Sequence, residues 1–146
     1  MNQYKEMEEA VLNCFICNPD LLKETRLQAK HFKKYSNFFN FMVAFYQKYK
    51  TFDISLLKSA CKNPHVVLNY IADIINTTSI LSHFKLYEQR LLQLYEEYYA
   101  VDEIHKLEQK LYAREIDLDE FKNELKYIFK EGQIWKIKKQ LNLLFY

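Results

Sequence analysis

Apolar residues recur at Phe84, Tyr87, Leu91, Leu94, Tyr98 and Val101, in steps of three and four. They lie in a stretch from Ser82 to Tyr112 that holds neither proline nor glycine. This spacing predicts one long helix whose seam packs along another helix. The stripe slips by a step of three and continues through Ile104, Leu107 and Leu111, while Leu92, Tyr95 and Tyr99 widen it. Such a helix spans about 45 Å, which outruns the core of a small domain. Part of its face is expected to meet a return helix, and part another subunit or partner. The plainer alternative is a long core helix within one bundle.

The same period organises the rest of the chain. Met7, Ala10, Val11, Cys14 and Phe15 predict an amphipathic helix over 4–17, with Lys5, Glu6, Glu8 and Glu9 opposite or in its first turns. Asn18-Pro19-Asp20 stops it and restarts a short helix through Leu21, Leu22 and Leu27, with Asn18 able to cap and Pro19 suited to the first helical position. Ser36 or Asn37 can cap a helix holding Phe38, Phe41, Met42, Phe45, Tyr46 and Tyr49. Asp53 caps a helix through Ile54, Leu56, Leu57 and Ala60, and Asn63-Pro64 restarts one through Val66, Val67, Tyr70, Ile71, Ile74 and Ile75. Residues 76–79 form a loop into the long helix. After a turn at 113–116, Asp117 and Glu120 have capping-box spacing, and Leu118, Phe121, Leu125, Ile128 and Phe129 form the return arm, closed by Gly132. A last amphipathic piece sets Ile134, Ile137, Leu141 and Leu144 against Lys136, Lys138 and Lys139.

The expected fold is therefore all-α: a small multi-helix bundle (1–79), a long helical hairpin (80–132) and an amphipathic C-terminal helix (133–146). Composition agrees. One glycine and two prolines in 146 residues are too few for a sheet with tight turns, whereas 49% hydrophobic and 16% aromatic residues are ample for a core. A net charge of +2 does not by itself imply a polyanion partner. No apolar run approaches the roughly twenty residues of a membrane span, and no basic-then-apolar leader opens the chain, so a cytoplasmic protein without a membrane role is expected.

Little chemistry is on offer. A phosphate-binding loop needs several glycines, and Gly132 is followed by Gln133, so that route to ATP hydrolysis is absent. His31, His65, His83 and His105 are scattered. Cys61 makes the cysteine count odd; Cys14 and Cys17 form a CxxC without a second ligand pair, and in AVLNCFIC, which reads as a buried helix face, they are expected to be core thiols rather than a zinc or redox site. Acidic pairs such as Glu96-Glu97 lie among lysines, as a solvated helix face would have them. The expectation is no enzyme, no cofactor and no metal. The basic-aromatic tail with Trp135, Lys136, Lys138 and Lys139, together with the connection HFKKY at 31–35, offers a different function: clamping single-stranded nucleic acid by charge and stacking. The plainer reading is that the tail docks on its own bundle; a partner's groove, a phosphate backbone or a membrane surface are its other possible contacts.

The order of these features resembles the N-terminal domain of DnaB-like replicative helicases. The matching pieces are EEAVLNCFICNPDLL, HFKKYSNFFNFMVAFYQKYKTFDISLLKSA, NYIADIINTTSI, HFKLYEQRLLQLYEEYY and IDLDEFKNELKYIFKE, together covering roughly residues 5–131. The resemblance implies a helical bundle with a hairpin, non-catalytic, that dimerises through the hairpin, forms a collar and takes part in primase binding. The helicase-binding domain of bacterial primase is similar in architecture. By position, Tyr87, Leu91, Leu94 and Tyr98 would lie on the pairing helix, and Phe121, Leu125 and Ile128 on its returning arm. The motor half of that family has no counterpart in these residues. The expectation is thus a homodimeric contact module for helicase, primase or helicase loader, either a free-standing phage or mobile-element protein or a piece of a longer helicase.

Overall fold

The computed structural model describes residues 2–128. Six α-helices appear among them: α1 (Gln3–Cys17), α2 (Ser36–Tyr49), α3 (Ile54–Ala60), α4 (Pro64–Ile75), α5 (Phe84–Tyr112) and α6 (Leu118–Ile128). No strand occurs among the described residues, and the fold is all-α. The expected closing glycine and the amphipathic tail lie outside the described residues.

The chain divides into two compact units, Met1–Leu94 and one beginning at Tyr95. The sequence division at 79 thus follows the loop, whereas compactness follows packing. The first turns of α5 send Phe84 and Leu91 into the core of the first unit, where they are 4% and 0% exposed.

That core is largely aromatic. The Phe15 ring of α1 lies 5.2 Å from Phe84 and 6.0 Å from Phe39, and Phe32 stacks on Phe39 at 4.6 Å. From α2, Phe38, Met42 and Phe45 are buried, and Phe52 meets Phe38 and Phe45 edge-on. Such edge-to-face pairs add to the burial of large apolar area. From α4, Ile71 and Ile74 complete the core.

Local chemistry explains most helix boundaries. Asp53 accepts from the Ser55 N–H at 2.7 Å and opens α3, and Pro64 stands in the first turn of α4. Asn18 and Ser36, by contrast, make no side-chain cap. The expected short α-helix after Pro19 is instead a five-residue 3₁₀ helix, Pro19–Lys23. Leu27 is buried from the irregular segment beyond it, because Glu24 and Thr25 both turn back onto the Leu21 carbonyl and end the helix.

In the second unit α5 ends at Tyr112, and the chain turns at 113–117 into α6. Arg114 takes φ 59°, a left-handed residue that lets the Glu115 N–H reach the Lys110 carbonyl at 2.9 Å. Asp117 then accepts from the Glu120 N–H at 2.8 Å, so the expected cap is made. Ala100 and Leu107 are buried, whereas Val101, Ile104, Phe121, Leu125 and Ile128 are half-buried and α6 buries no residue fully.

Candidate partner interface

Three buried carboxylates fix the first unit. Glu8 on α1 is 1% exposed and accepts from the backbone N–H groups of Lys34 and Tyr35, at 3.1 and 3.3 Å. It supplies at the entrance of α2 the acceptor that Ser36 does not. Burial raises the Glu8 pKa above the ordinary carboxylate value, opposed by those N–H groups. Glu9 accepts from the Tyr35 hydroxyl at 2.6 Å and the Thr77 hydroxyl at 3.1 Å, which ties α1 both to α2 and to the loop before α5. Burial, then the bond to Glu9, pushes the Tyr35 hydroxyl far above its usual range. Glu88 on α5 is fully buried; one carboxylate oxygen accepts from the Thr25 hydroxyl at 2.6 Å and the Arg26 N–H at 3.1 Å. Its other oxygen has the Arg26 guanidinium at 3.6 Å.

The sequence reading placed Glu8 and Glu9 on or near a solvated face and did not single out Glu88. A signal existed. Tyr4, Glu8, Val11 and Phe15 are spaced 4, 3 and 4, and Phe84, Glu88 and Leu91 are spaced 4 and 3, so each acid interrupts an apolar stripe.

With these pins in place, the first unit presents Leu91 and the other seam residues in different ways. Leu91 has no exposed surface, so a partner cannot touch it while the unit is folded. Tyr87 and Leu94 are half-buried, and the Tyr87 hydroxyl oxygen accepts from the Ile80 N–H at 3.0 Å. Ile75, Ile80, Leu81 and Leu86, close to this connection in sequence, are exposed.

In the second unit Tyr98 is 53% exposed, with Tyr99, Tyr112, Leu118 and Tyr127 also exposed. A crevice of about 540 Å³ runs between the arms; Leu107, Ile116 and Ile128 form its apolar lining. Glu103, Glu115, Glu120 and Glu124 edge it with Lys106 and Lys110. Lys106 pairs with Asp102 at 3.1 Å and Glu103 at 3.5 Å, exposed pairs that contribute little to stability. Phe121, Leu125 and Ile128 stand half-covered on the returning arm. The structure thus divides the sequence-predicted set between two units: Tyr87, Leu91 and Leu94 in the first, Tyr98, Phe121, Leu125 and Ile128 in the second.

Trp135, Lys136, Lys138 and Lys139 lie outside the described residues. The other half of the nucleic-acid reading, the HFKKY connection, offers no stacking platform. Phe32 and Tyr35 are buried at 3% and 0%, and the Lys33 ammonium sits 4.5 Å from the Tyr4 ring centre. His31 is buried too; its Nδ1 accepts from the Gln28 N–H at 2.8 Å, and burial lowers its pKa.

Of the cysteines, Cys14 is buried, with its thiol pushed up to about 11 by burial. Cys17 is exposed and Cys61 half-buried, so the expectation of core thiols fits Cys14 fully and Cys17 not at all. No group of three metal-ligating side chains occurs among the described residues, and none of their helices is long and apolar enough to cross a membrane.

A family model described as DnaB-like helicase N terminal domain matches residues 1–93. The match covers less than the 5–131 quoted from sequence features, and it ends within a residue of the first compact unit. No curated protein and no solved structure matches the chain.

Proposed function

The chain belongs to the DnaB-like helicase N-terminal domain family and is a replicative-helicase-related module, and from that premise we propose that it works by contact, without catalysis of its own. The first unit carries the family fold. The second offers an aromatic hairpin to another polypeptide: a replicative helicase, a primase, a helicase loader or a second copy of the chain. The observation that carries this reading is the number of exposed tyrosines on the two helices of the second unit: Tyr98, Tyr99, Tyr112 and Tyr127. Tyrosine at this density suits a protein interface, because each ring brings large apolar area and a polar tip at small entropic cost.

Pairing through the hairpin then uses Tyr98, Phe121, Leu125 and Ile128, with Tyr87 and Leu94 at its margin. Leu91 acts indirectly, by seating α5 in the first unit. The test is retention of purified helicase, primase or loader on the immobilised chain, together with mass by light scattering. Retention of one of them that is lost in Tyr98→Glu supports the reading. No retention of any of the three and a monomeric mass would sink it. Binding to single-stranded DNA that falls steeply with salt, and disappears when Lys136, Lys138 and Lys139 become Glu, would put a nucleic-acid function in its place.

A further inference from the structure

A second surface lies wholly within the first unit. Between α2 and the corner joining α3 to α4 runs an open groove of about 550 Å³. On one wall, α2 sets Phe41, Ala44, Phe45 and Lys48 at i, i+3, i+4 and i+7. On the other, Asn63, Val66 and Val67 stand at i, i+3 and i+4. Both walls therefore offer the ridges against which a helix packs, and small Ala44 in the middle of the α2 row allows close approach. No helix among the described residues of the first unit fills the space, and Val66 is left 55% exposed.

The charges at the groove have one sign. Lys48 and Lys62 line it, both exposed, and no carboxylate does. Among the described residues neither lysine has a carboxylate partner within ion-pair distance. The chain's own basic tail, with Lys136, Lys138 and Lys139, is therefore the wrong occupant by charge.

We infer that this groove docks an acidic amphipathic helix of a partner protein, with apolar residues at i, i+3, i+4 and i+7 on the floor and flanking carboxylates against Lys48 and Lys62. The inference deepens the contact reading above and rests on it, but it uses a surface separate from the hairpin. Apolar anchors supply the affinity, and the two lysines select the partner's charge.

Cys61 lies in the groove and provides the readout. The test uses the full chain carrying Cys17→Ser. Cys61 is then the accessible thiol, because Cys14 is buried. The probe is a short helical peptide with leucines at i, i+3, i+4 and i+7 flanked by glutamates, compared with the same peptide bearing lysines. At saturation the glutamate peptide is expected to slow maleimide labelling of Cys61 by about tenfold or more, with the lysine peptide inert, and the effect weakens with salt. Lys48→Glu with Lys62→Glu reverses the preference. Lys48→Gln with Lys62→Gln, a gentler variant, abolishes it, and circular dichroism checks that each variant is folded.

Equal protection by both peptides, or by neither, overturns the inference. So does binding of the acidic peptide without protection of Cys61, which places it on the basic tail. A homodimer that dissociates on Val66→Glu, with no protection by peptide, makes the groove a contact between copies. If helicase, primase or loader is retained while Cys61 labelling never changes, the groove assignment fails alone. If Cys61 is protected but none of the three is retained and the mass is monomeric, the contact reading of the hairpin fails and the groove's charge selectivity remains.

Discussion

The Tyr35 hydroxyl donates to the Glu9 carboxylate at 2.6 Å, and both residues are buried: Tyr35 is 0% exposed and Glu9 7%. A bond between a buried phenol and a buried carboxylate is costly to lose. Tyr35→Phe keeps the ring, including its edge contact with Tyr70 at 5.9 Å, and removes only the donor. The expected loss is about 1–3 kcal/mol of unfolding free energy. Urea titration measures it, and an unchanged midpoint would show that the bond contributes nothing net.

Glu88 is the corresponding pin on α5. Glu88→Ala strands the Thr25 hydroxyl and the Arg26 N–H and leaves a small void. The expected cost is about 2 kcal/mol or more. Because the lost bonds are local, the Arg26 amide should exchange with solvent faster than the amides of α1, as hydrogen exchange followed by mass spectrometry would detect. Uniform acceleration across the first unit would contradict a local pin.

His31 and Glu8 give opposite pH dependences. Burial, with Lys30 nearby, lowers the His31 pKa from 6.5, so the unfolded chain holds more protons on this group between the folded value and 6.5. Its contribution to stability is present above 6.5 and lost as pH falls through the folded value. Protonation would also abolish the Nδ1 acceptor for the Gln28 N–H. Burial raises the Glu8 pKa from 4.5, so its contribution is full below 4.5 and lost as pH rises through the folded value. Melting curves of His31→Gln should therefore lose the dip below pH 6.5. Glu8→Gln should gain on the wild type as pH rises from 4.5. The reverse slopes would disprove the assignments.

Interface variants separate along α5. Leu91→Glu drives a charge into the first core and is expected to cost at least about 3 kcal/mol, so any loss of pairing in it reports unfolding. Tyr98→Glu changes an exposed position and is expected to shift stability by less than about 1 kcal/mol while lowering the mass seen by light scattering. Leu125→Glu, on a half-buried position, should fall between the two in stability and match Tyr98→Glu in mass. A Tyr98→Glu protein that pairs as before would remove the hairpin from the contact.

The periodicity of apolar residues reveals all six α-helices of the described residues, because the 3.6-residue repeat is the direct imprint of a helix lying on a core. Asp53 and Asp117 were legible as caps for the same reason, since their chemistry is local. What escaped was non-local. Glu8 caps an element 26 residues away, and Glu88 holds a loop 62 residues away. Nothing in a linear reading distinguishes such an acid from a solvated one except its place on an apolar stripe. The groove escaped differently. Phe41 shares the period of the core residues Phe38, Met42 and Phe45, and only the fold reveals that the flank of α2 bearing Ala44 and Lys48 is left uncovered. The burial of Phe32 and Tyr35 within HFKKY is likewise something that composition does not report.

Two long cations, Lys50 and Arg114, adopt the left-handed backbone, each with φ 59°, at the ends of α2 and α5. Glycine takes that conformation without a side-chain penalty, whereas a side chain there costs up to roughly 1–2 kcal/mol. The molecule thus tolerates two conformational debits at its bends while keeping positive charge beside the carbonyl ends of two helices. Glycine at these two turn residues is therefore expected to give a sturdier version without disturbing either the exposed tyrosines or the lysine-rimmed channel.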